Sequence, residues 1–201
     1  MKNLKLVHYF LIAITVIVID QASKILVYNT MYQGDEFKVL GDWFKIHYIT
    51  NPGMAFGIEI AGDYGKIVLT TFRLIAMFFI AYYMKSIYEK KAHAGFQLCV
   101  ALIFGGAIGN LIDSVFYGVF LDLTVAGAPT EWFHGEVIDM LYIDIDQGFY
   151  PQWMPIVGGD YYSFWPIFNI ADSAIFVAVC IILVMQKQFF PEDKKKELGV
   201  R

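Results

Sequence analysis

Four stretches of the chain carry apolar residues almost without interruption, and polar residues gather between them. They run from about Val7 to Tyr28, Lys66 to Met84, Ala94 to Phe116 and Phe168 to Phe189. A helix needs about 20 mostly apolar residues to cross a hydrocarbon core, so each run predicts one membrane span. Between the first two, Phe44-Lys45-Ile46-His47-Tyr48-Ile49 alternates as a strand does. Gly41-Asp42 separates it from Phe37-Lys38-Val39-Leu40, which predicts a hairpin. The expected fold is an all-α membrane protein forming a single domain over residues 1–201. It has four transmembrane helices, a small extracytoplasmic β-sheet and an extracytoplasmic loop or helix over the site. Residues 29–65 and 117–165 form the outer loops. Lys2 and Lys5 precede the first run as in a signal peptide, but Ile19-Asp20-Gln21-Ala22-Ser23 lacks a clean small-x-small cleavage site. A retained span is therefore expected.

Composition agrees with this picture. Of 201 residues, 58% are hydrophobic, above the 45–50% or so of soluble domains. The net charge of -4, with no basic patch interleaved with aromatics, excludes a nucleic-acid partner. Cys99 and Cys180 both fall inside apolar runs and read as free thiols. Charge distribution gives the orientation. From Ala92 through Gln186 there is no Lys or Arg. The basic residues cluster at Lys2 and Lys5, at Lys85, Lys90 and Lys91, and at Lys187 and Lys194-Lys195-Lys196. The positive-inside rule puts those groups, and both termini, in the cytoplasm. Trp132, Trp153 and Trp165 in the second outer loop suit an interfacial belt.

The candidate chemistry lies at the ends of the last two spans. Asn110-Leu111-Ile112-Asp113 and Asn169-Ile170-Ala171-Asp172 each place an amide and an acid three apart, on one face of a helix. Asp139 lies in the loop between them. Carboxylates at a membrane margin are costly and point to function. Neighbouring acids that share a proton are the raw material of aspartyl proteolysis. In the first span Asp20 and Lys24 stand four apart in the order that favours an ion pair. The competing expectation is that Lys24 snorkels outward to neutralise Asp20 for structure alone. Arg73, near mid-depth of the second span, is expected to pair with a buried acid or carbonyl. Asn51-Pro52-Gly53 is strong turn chemistry. Gly105-Gly106-Ala107-Ile108-Gly109 reads as a helix-packing stripe. His8, His47, His93 and His134 show no metal-ligand spacing, so neither metal nor cofactor is expected. Two rivals remain. One is a small transporter using intramembrane acids. The other is a serine protease using Ser114 or Ser173 with His134, although neither serine has a Gly-x-Ser-x-Gly setting.

Taken together the segments are more specific. Asp20-Gln21 with Lys24, Asn51-Pro52-Gly53-Met54-Ala55-Phe56, Gly106 to Asp113, Gly135-Glu136-Val137-Ile138-Asp139 and Phe168 to Ser173 occur in one order. That order resembles the lipoprotein signal peptidases, or signal peptidase II. The resemblance implies a four-span aspartyl endopeptidase of the bacterial inner membrane that cuts the signal peptide from diacylglyceryl-modified prolipoproteins. It implies a lipidated prolipoprotein substrate, contact with membrane lipids, no cofactor, inhibition by globomycin and a monomer. Asp139 and Asp172 would be the catalytic pair. Asp20, Lys24, Asn51, Gly53, Asn110, Asp113, Asn169 and Ala171 would bind substrate or support the site.

Two departures stand out. The family usually has Arg, expected to bind substrate carbonyls, directly after the acid matching Asp113; this chain has Ser114. A replacement cation must come from Lys24, Lys38, Lys45, Lys66 or Arg73. The loop before Asp139 is also long, and its Gly118-Val119-Phe120-Leu121-Asp122 partly echoes Gly135 to Asp139. Asp139 is preferred to Asp122 because Gly135-Glu136-Val137-Ile138 resembles the family's Gly-x-Val-Val-Asp pattern better than Gly118-Val119-Phe120-Leu121 does, and because Val137-Ile138 can dock in the bilayer interface and desolvate the acid. Leu123 to Pro129 reads as an inserted excursion.

Overall fold

A computed structural model describes residues 4–53, 65–149, 151–155, 159, 161–163 and 165–191. The Met54-Ala55-Phe56 part of the Asn-Pro-Gly segment and the basic tail at Lys194 to Lys196 lie outside these residues. Three helices are long and apolar enough to cross a membrane. They are α1 (Leu6–Thr30), α2 (Gly65–Glu89) and α3 (Ala94–Ile112), which runs on to Leu121 through a π-helical segment at Asp113–Tyr117 and a short α4 (Gly118–Leu121). The fourth apolar run is shorter than expected. Its helix α5 covers Ile170–Val184, about 22 Å at 1.5 Å per residue. A non-helical Met185 then separates it from α6 (Gln186–Phe189).

α3 is the central helix, packed against α1, α2 and α5. Glycines let its neighbours come close. A Cβ on Gly105 would lie 2.8 Å from the Ala13 carbonyl oxygen, and one on Gly106 would lie 2.4 Å from that of Ala171. The small-residue stripe therefore serves close helix packing, as expected. α1 buries Tyr9, Ala13, Asp20, Lys24 and Val27 along one stripe and exposes Leu11, Ile14, Val18, Ile25 and Leu26. α2 exposes Val68, Phe72, Ile75, Phe78 and Phe79. An apolar outside around a polar-containing inside suits a bilayer, where every backbone polar group must be satisfied within the helix.

The expected hairpin is present as β1 (Glu36–Leu40) and β2 (Phe44–Asn51), paired antiparallel with Phe37 opposite Ile46. The sequence pattern did not reveal β3 (Val137–Ile143), which completes a three-stranded sheet in the order β1-β2-β3. Its register sets Ile49 opposite Asp139 and Asn51 opposite Val137. Lys45 fastens the far end of the sheet through ion pairs to Glu36 at 3.0 Å and Asp144 at 2.7 Å. A separate two-stranded ribbon, β4 (Gln147–Phe149) with β5 (Tyr161–Ser163), lies farther along the loop.

Two apolar clusters cap the molecule's polar centre. One gathers Tyr9, Met84, Phe96, Phe104 and Phe189 around α3. The other joins Val27, Tyr48, Tyr117, Ile138 and Met140 beneath the sheet. This second cluster corrects one expectation. Val137 and Ile138 are buried inside the protein, not docked in a bilayer interface; Ile138 packs in the cluster that holds Val27 of α1 and Tyr117 of the π-helical segment.

Gly106→Val should drive α3 and α5 apart. An overpacked core typically loses about 1–3 kcal/mol, and the close backbone oxygen puts this site at the upper end. Thermal unfolding in detergent should start at a clearly lower temperature. A melting curve that overlays the parent's would show that the helices are not held at this spacing.

Candidate active site

The polar centre is built on Lys24. Its side chain is fully buried, and its Nζ lies 2.8 Å from Asp20 and 2.6 Å from Asp113. It also donates to Asn110 Oδ1 at 3.1 Å. The snorkelling expectation is therefore overturned: Asp113 and Asn110 on the adjoining helix hold the ammonium inward. Asp113 and Asn110, one turn apart, do converge on a single point as their spacing implied. Gln21 joins the same group, donating to Asp113 Oδ1 at 2.8 Å and Asp20 Oδ2 at 3.1 Å, and accepting from the Tyr117 hydroxyl at 3.0 Å. Asp20 Oδ1 accepts the Ala171 amide at 2.9 Å and so pins the start of α5. Gly109 makes room for this, since a Cβ there would lie 2.7 Å from Asp20 Oδ2.

Asn169 behaves differently from the helical residue expected. It is extended (φ -126°, ψ -176°) and caps α5, accepting the Asp172 amide at 2.9 Å. Asn169 and Asp172 are thus an N-cap residue and a third-position acid. The Asn-x-x-Asp spacing carried that signal, since a capping residue three before an acid marks a helix start. Freed from the helix, the Asn169 amide nitrogen reaches Asp139 Oδ1 at 2.7 Å and Asn110 Oδ1 at 3.1 Å. Asn110 in turn donates to Asp172 Oδ1 at 2.7 Å. Two asparagines therefore link Asp139, on a strand, to Asp172, in the first turn of a helix. Asn51 completes the setting, donating to Asp139 Oδ2 at 3.0 Å and accepting the Gly53 amide at 2.8 Å. Gly53 has φ +98°, and a Cβ there would lie 2.5 Å from Leu69; only glycine fits.

Asp139 is 2% exposed. Burial, and next the charge of Asp172, push its carboxyl up to about 7, against the pull of the Asn51 amide, Lys24 and the Asn169 amide. Asp122 differs in every respect. It is exposed, in the left-handed region at φ +56°, just past α4. The excursion after it folds back through a bridge between Thr124 and Gly135.

Among the described residues Arg73 does not meet the acid or carbonyl expected of it. Its Nη1 donates to the Ser114 hydroxyl at 2.7 Å, and that hydroxyl donates to the Asn110 carbonyl at 2.9 Å. Ser114 is buried because the π-helical segment widens the turn and aims both Asp113 and Ser114 inward, a distortion often found at functional sites. No residue pattern had signalled it. The serine-protease rival loses its geometry here. Ser173 donates to the Asn169 carbonyl, His134 Nδ1 lies against the Trp132 carbonyl, and neither serine hydroxyl is hydrogen-bonded to His134.

Apolar helices around two carboxylates that share an asparagine pair define a membrane-type helical protein with the layout of an aspartic peptidase. Comparisons with known proteins are specific. The family model for Signal peptidase (SPase) II matches residues 12–188. A lipoprotein signal peptidase of Amoebophilus asiaticus is 42% identical over 195 residues, covering 96% of this chain and 83% of its own. One from Porphyromonas gingivalis is 40% identical over 182 residues, covering 85% and 79%. A solved bacterial membrane enzyme, determined in meso at 1.9 Å, aligns with a TM-score of 0.59 at 29% identity, covering 89% of this chain and 92% of its own. The chain belongs to the signal peptidase II family. The transporter alternative is left without support.

Lys24→Met would leave Asp20 and Asp113 buried without their cation. Breaking such a pair costs about 3–5 kcal/mol, so the folded yield and the denaturation midpoint in detergent should both fall sharply. A variant as stable as the parent would remove Lys24 as the organising charge.

Proposed function

We propose that this protein is an aspartyl endopeptidase that removes signal peptides from diacylglyceryl-modified prolipoproteins at the outer face of the bacterial inner membrane. The observation that carries the reading is the convergence of Asp139 and Asp172 on the Asn110–Asn169 pair. The lipoprotein signal peptidases to which the chain is similar supply the substrate class. In this reading α5 with α6 forms the fourth span, both termini are cytoplasmic, and the sheet lies on the outer surface. The absence of Lys and Arg between Ala92 and Gln186 supports that orientation. The apolar outer faces of the helices meet lipid, the protein acts as a monomer, and globomycin inhibits it.

The chemistry follows from the carboxylate pair. One ionised acid draws a proton from the attacking water. The other, protonated, donates a hydrogen bond to the scissile carbonyl and stabilises the developing oxyanion. Two close carboxyls titrate as a unit, and burial beside Asp172 keeps one proton on the pair up to about pH 7 through Asp139. Asp20 and Asp113 do not compete for this role, since both are ion-paired to Lys24. Asn51, Asn110 and Asn169 fix the carboxylate orientations, and Gly53 and Ala171 lend their backbones to the same network.

Asp172→Asn and Asp139→Asn should each lower turnover of a lipidated precursor by orders of magnitude with near-normal folded yield, whereas Asp122→Asn should remain active. An active Asp139→Asn beside a dead Asp122→Asn would reverse the assignment of the pair. Asn169→Ala should reduce turnover less than either and also lose about 1 kcal/mol of stability, the usual cost of a lost helix cap.

The pH profile should carry an alkaline limb. Asp139 is raised, so the shared proton is present below about 7 and lost above it. kcat/KM should fall as pH rises through 7 to 9, and a flat profile to pH 9 would contradict the shared-proton mechanism.

Orientation is testable with Gln152→Cys, an exposed position in the second loop, in a Cys180→Ser background. An impermeant thiol reagent should label it from outside the inner membrane. Protection in intact spheroplasts would invert the topology.

A further inference from the structure

The five cations available to replace the arginine absent from position 114 separate cleanly. Lys24 is consumed by Asp20 and Asp113. Lys38 pairs with Asp42 on the exposed hairpin, and Lys45 with Glu36 and Asp144 at the far end of the sheet. Lys66 and Arg73 remain. Both project from one stripe of α2, with Thr70 between them at the i, i+4, i+7 spacing of a single helix face. Thr70 secures that face by donating to the Phe133 carbonyl at 2.9 Å. Among the described residues neither Lys66 nor Arg73 makes an ion pair within 4 Å, and the buried Lys66 Nζ has no hydrogen-bond partner. The space beside Gly53 contains that Nζ, 3.2 Å from where a Cβ would stand, so Lys66 borders the loop that carries Asn51 to Asp139.

We infer that Arg73, anchored by Ser114, binds backbone carbonyls of the peptide lying at the Asp139–Asp172 pair, with Lys66 as the second cation of the same subsite. The inference rests on the peptidase reading above. A guanidinium has five N–H donors in a rigid fork, and among the described residues the Ser114 hydroxyl takes one of them. The remaining donors, held in a half-buried place beside the acid cluster, call for acceptors. Charge balance decides which acceptors fit. Asp20, Asp113 and a carboxyl pair holding one proton carry three negative charges; Lys24 and Arg73 offset two of them, and Lys66 offsets the third only when protonated. A site with no surplus positive charge favours neutral dipolar acceptors over another anion. The carbonyls of an extended peptide are such acceptors, whereas a phosphate headgroup would bring uncompensated charge. Ser114 acts as a positioning residue. It fixes one corner of the fork and, through the Asn110 carbonyl, ties it to the helix that also holds Asp113.

The test uses the full-length protein in detergent and a lipidated precursor as probe, with Asp172→Asn as reference. Arg73→Leu should raise KM about tenfold or more while kcat changes less than threefold. Arg73→Lys should recover only part of the loss, because an ammonium keeps the charge without the fork. The double variant Arg73→Leu/Ser114→Arg should restore KM, since it supplies a guanidinium at the point where Arg73 now docks. Full recovery of KM by Arg73→Lys, with no gain from the double variant, would make Arg73 a charge balancer and overturn the inference. An unchanged KM in a well-folded Arg73→Leu would overturn it equally. Should Asp172→Asn keep full activity, the peptidase reading fails first, whatever Arg73 does.

Discussion

The buried ammonium of Lys24 is the constraint on which the rest depends. A lysine and two aspartates inside an apolar bundle are tolerated only when their charges meet at close range and the remaining lone pairs are filled. Asp20, Asp113, Gln21, Tyr117, Asn110 and the Ala171 amide fill them. These partners come from α1, α3 with its π-helical segment, and the start of α5. One charge centre thus fixes three elements relative to one another to within hydrogen-bond tolerance. Glycines at 105, 106 and 109 let the backbones approach closely enough for it. Replacing the acids and lysine together by well-packed apolar residues is often neutral for a bundle as such, but the asparagines would lose their reference frame.

That frame makes the second group of acids useful. Asn110 lies between the two groups, accepting from Lys24 and Asn169 and donating to Asp172. Asn169 links it to Asp139. The carboxyl pair therefore inherits its geometry from a rigid charged core, and its own chemistry is left free. Asp139 arrives by a different route, carried by β3 in register with β2, so the sheet and the bundle must both form before the two acids meet. Burial of Asp139 itself, followed by the charge of Asp172, raises its carboxyl to about 7.

Much of this was legible along the chain because the signals are local. The apolar runs gave the helices, alternation at Phe44 to Ile49 gave the hairpin, and the glycine stripe gave close packing. Asn110 and Asp113 share a helical face, as their spacing required. Of the readings that failed, three did so because a long-range partner outweighed a local preference. Lys24 turns inward because Asp113, 89 positions on, outweighs solvent. Asn169 leaves the helix because its amide has better partners as a cap, although capping chemistry was visible in Asn-x-x-Asp itself. Arg73 meets a serine because the π-helical segment swings Ser114 inward, and nothing in Asp113-Ser114-Val115 announces a π turn.

By itself the sequence determined which residues carry charge inside an apolar setting, the helical character of the long runs and the family to which the motifs are similar. The first two follow from composition and short-range periodicity; the third is a resemblance carried by the order of the motifs. Only the tertiary structure decided that Asp139 and not Asp122 reaches the asparagine pair, that β3 joins the hairpin, and that Arg73 stands at position 114's door. Each of these depends on contacts between residues 30 to 99 positions apart, and such contacts are selected by the collective burial of the core rather than by any local pattern.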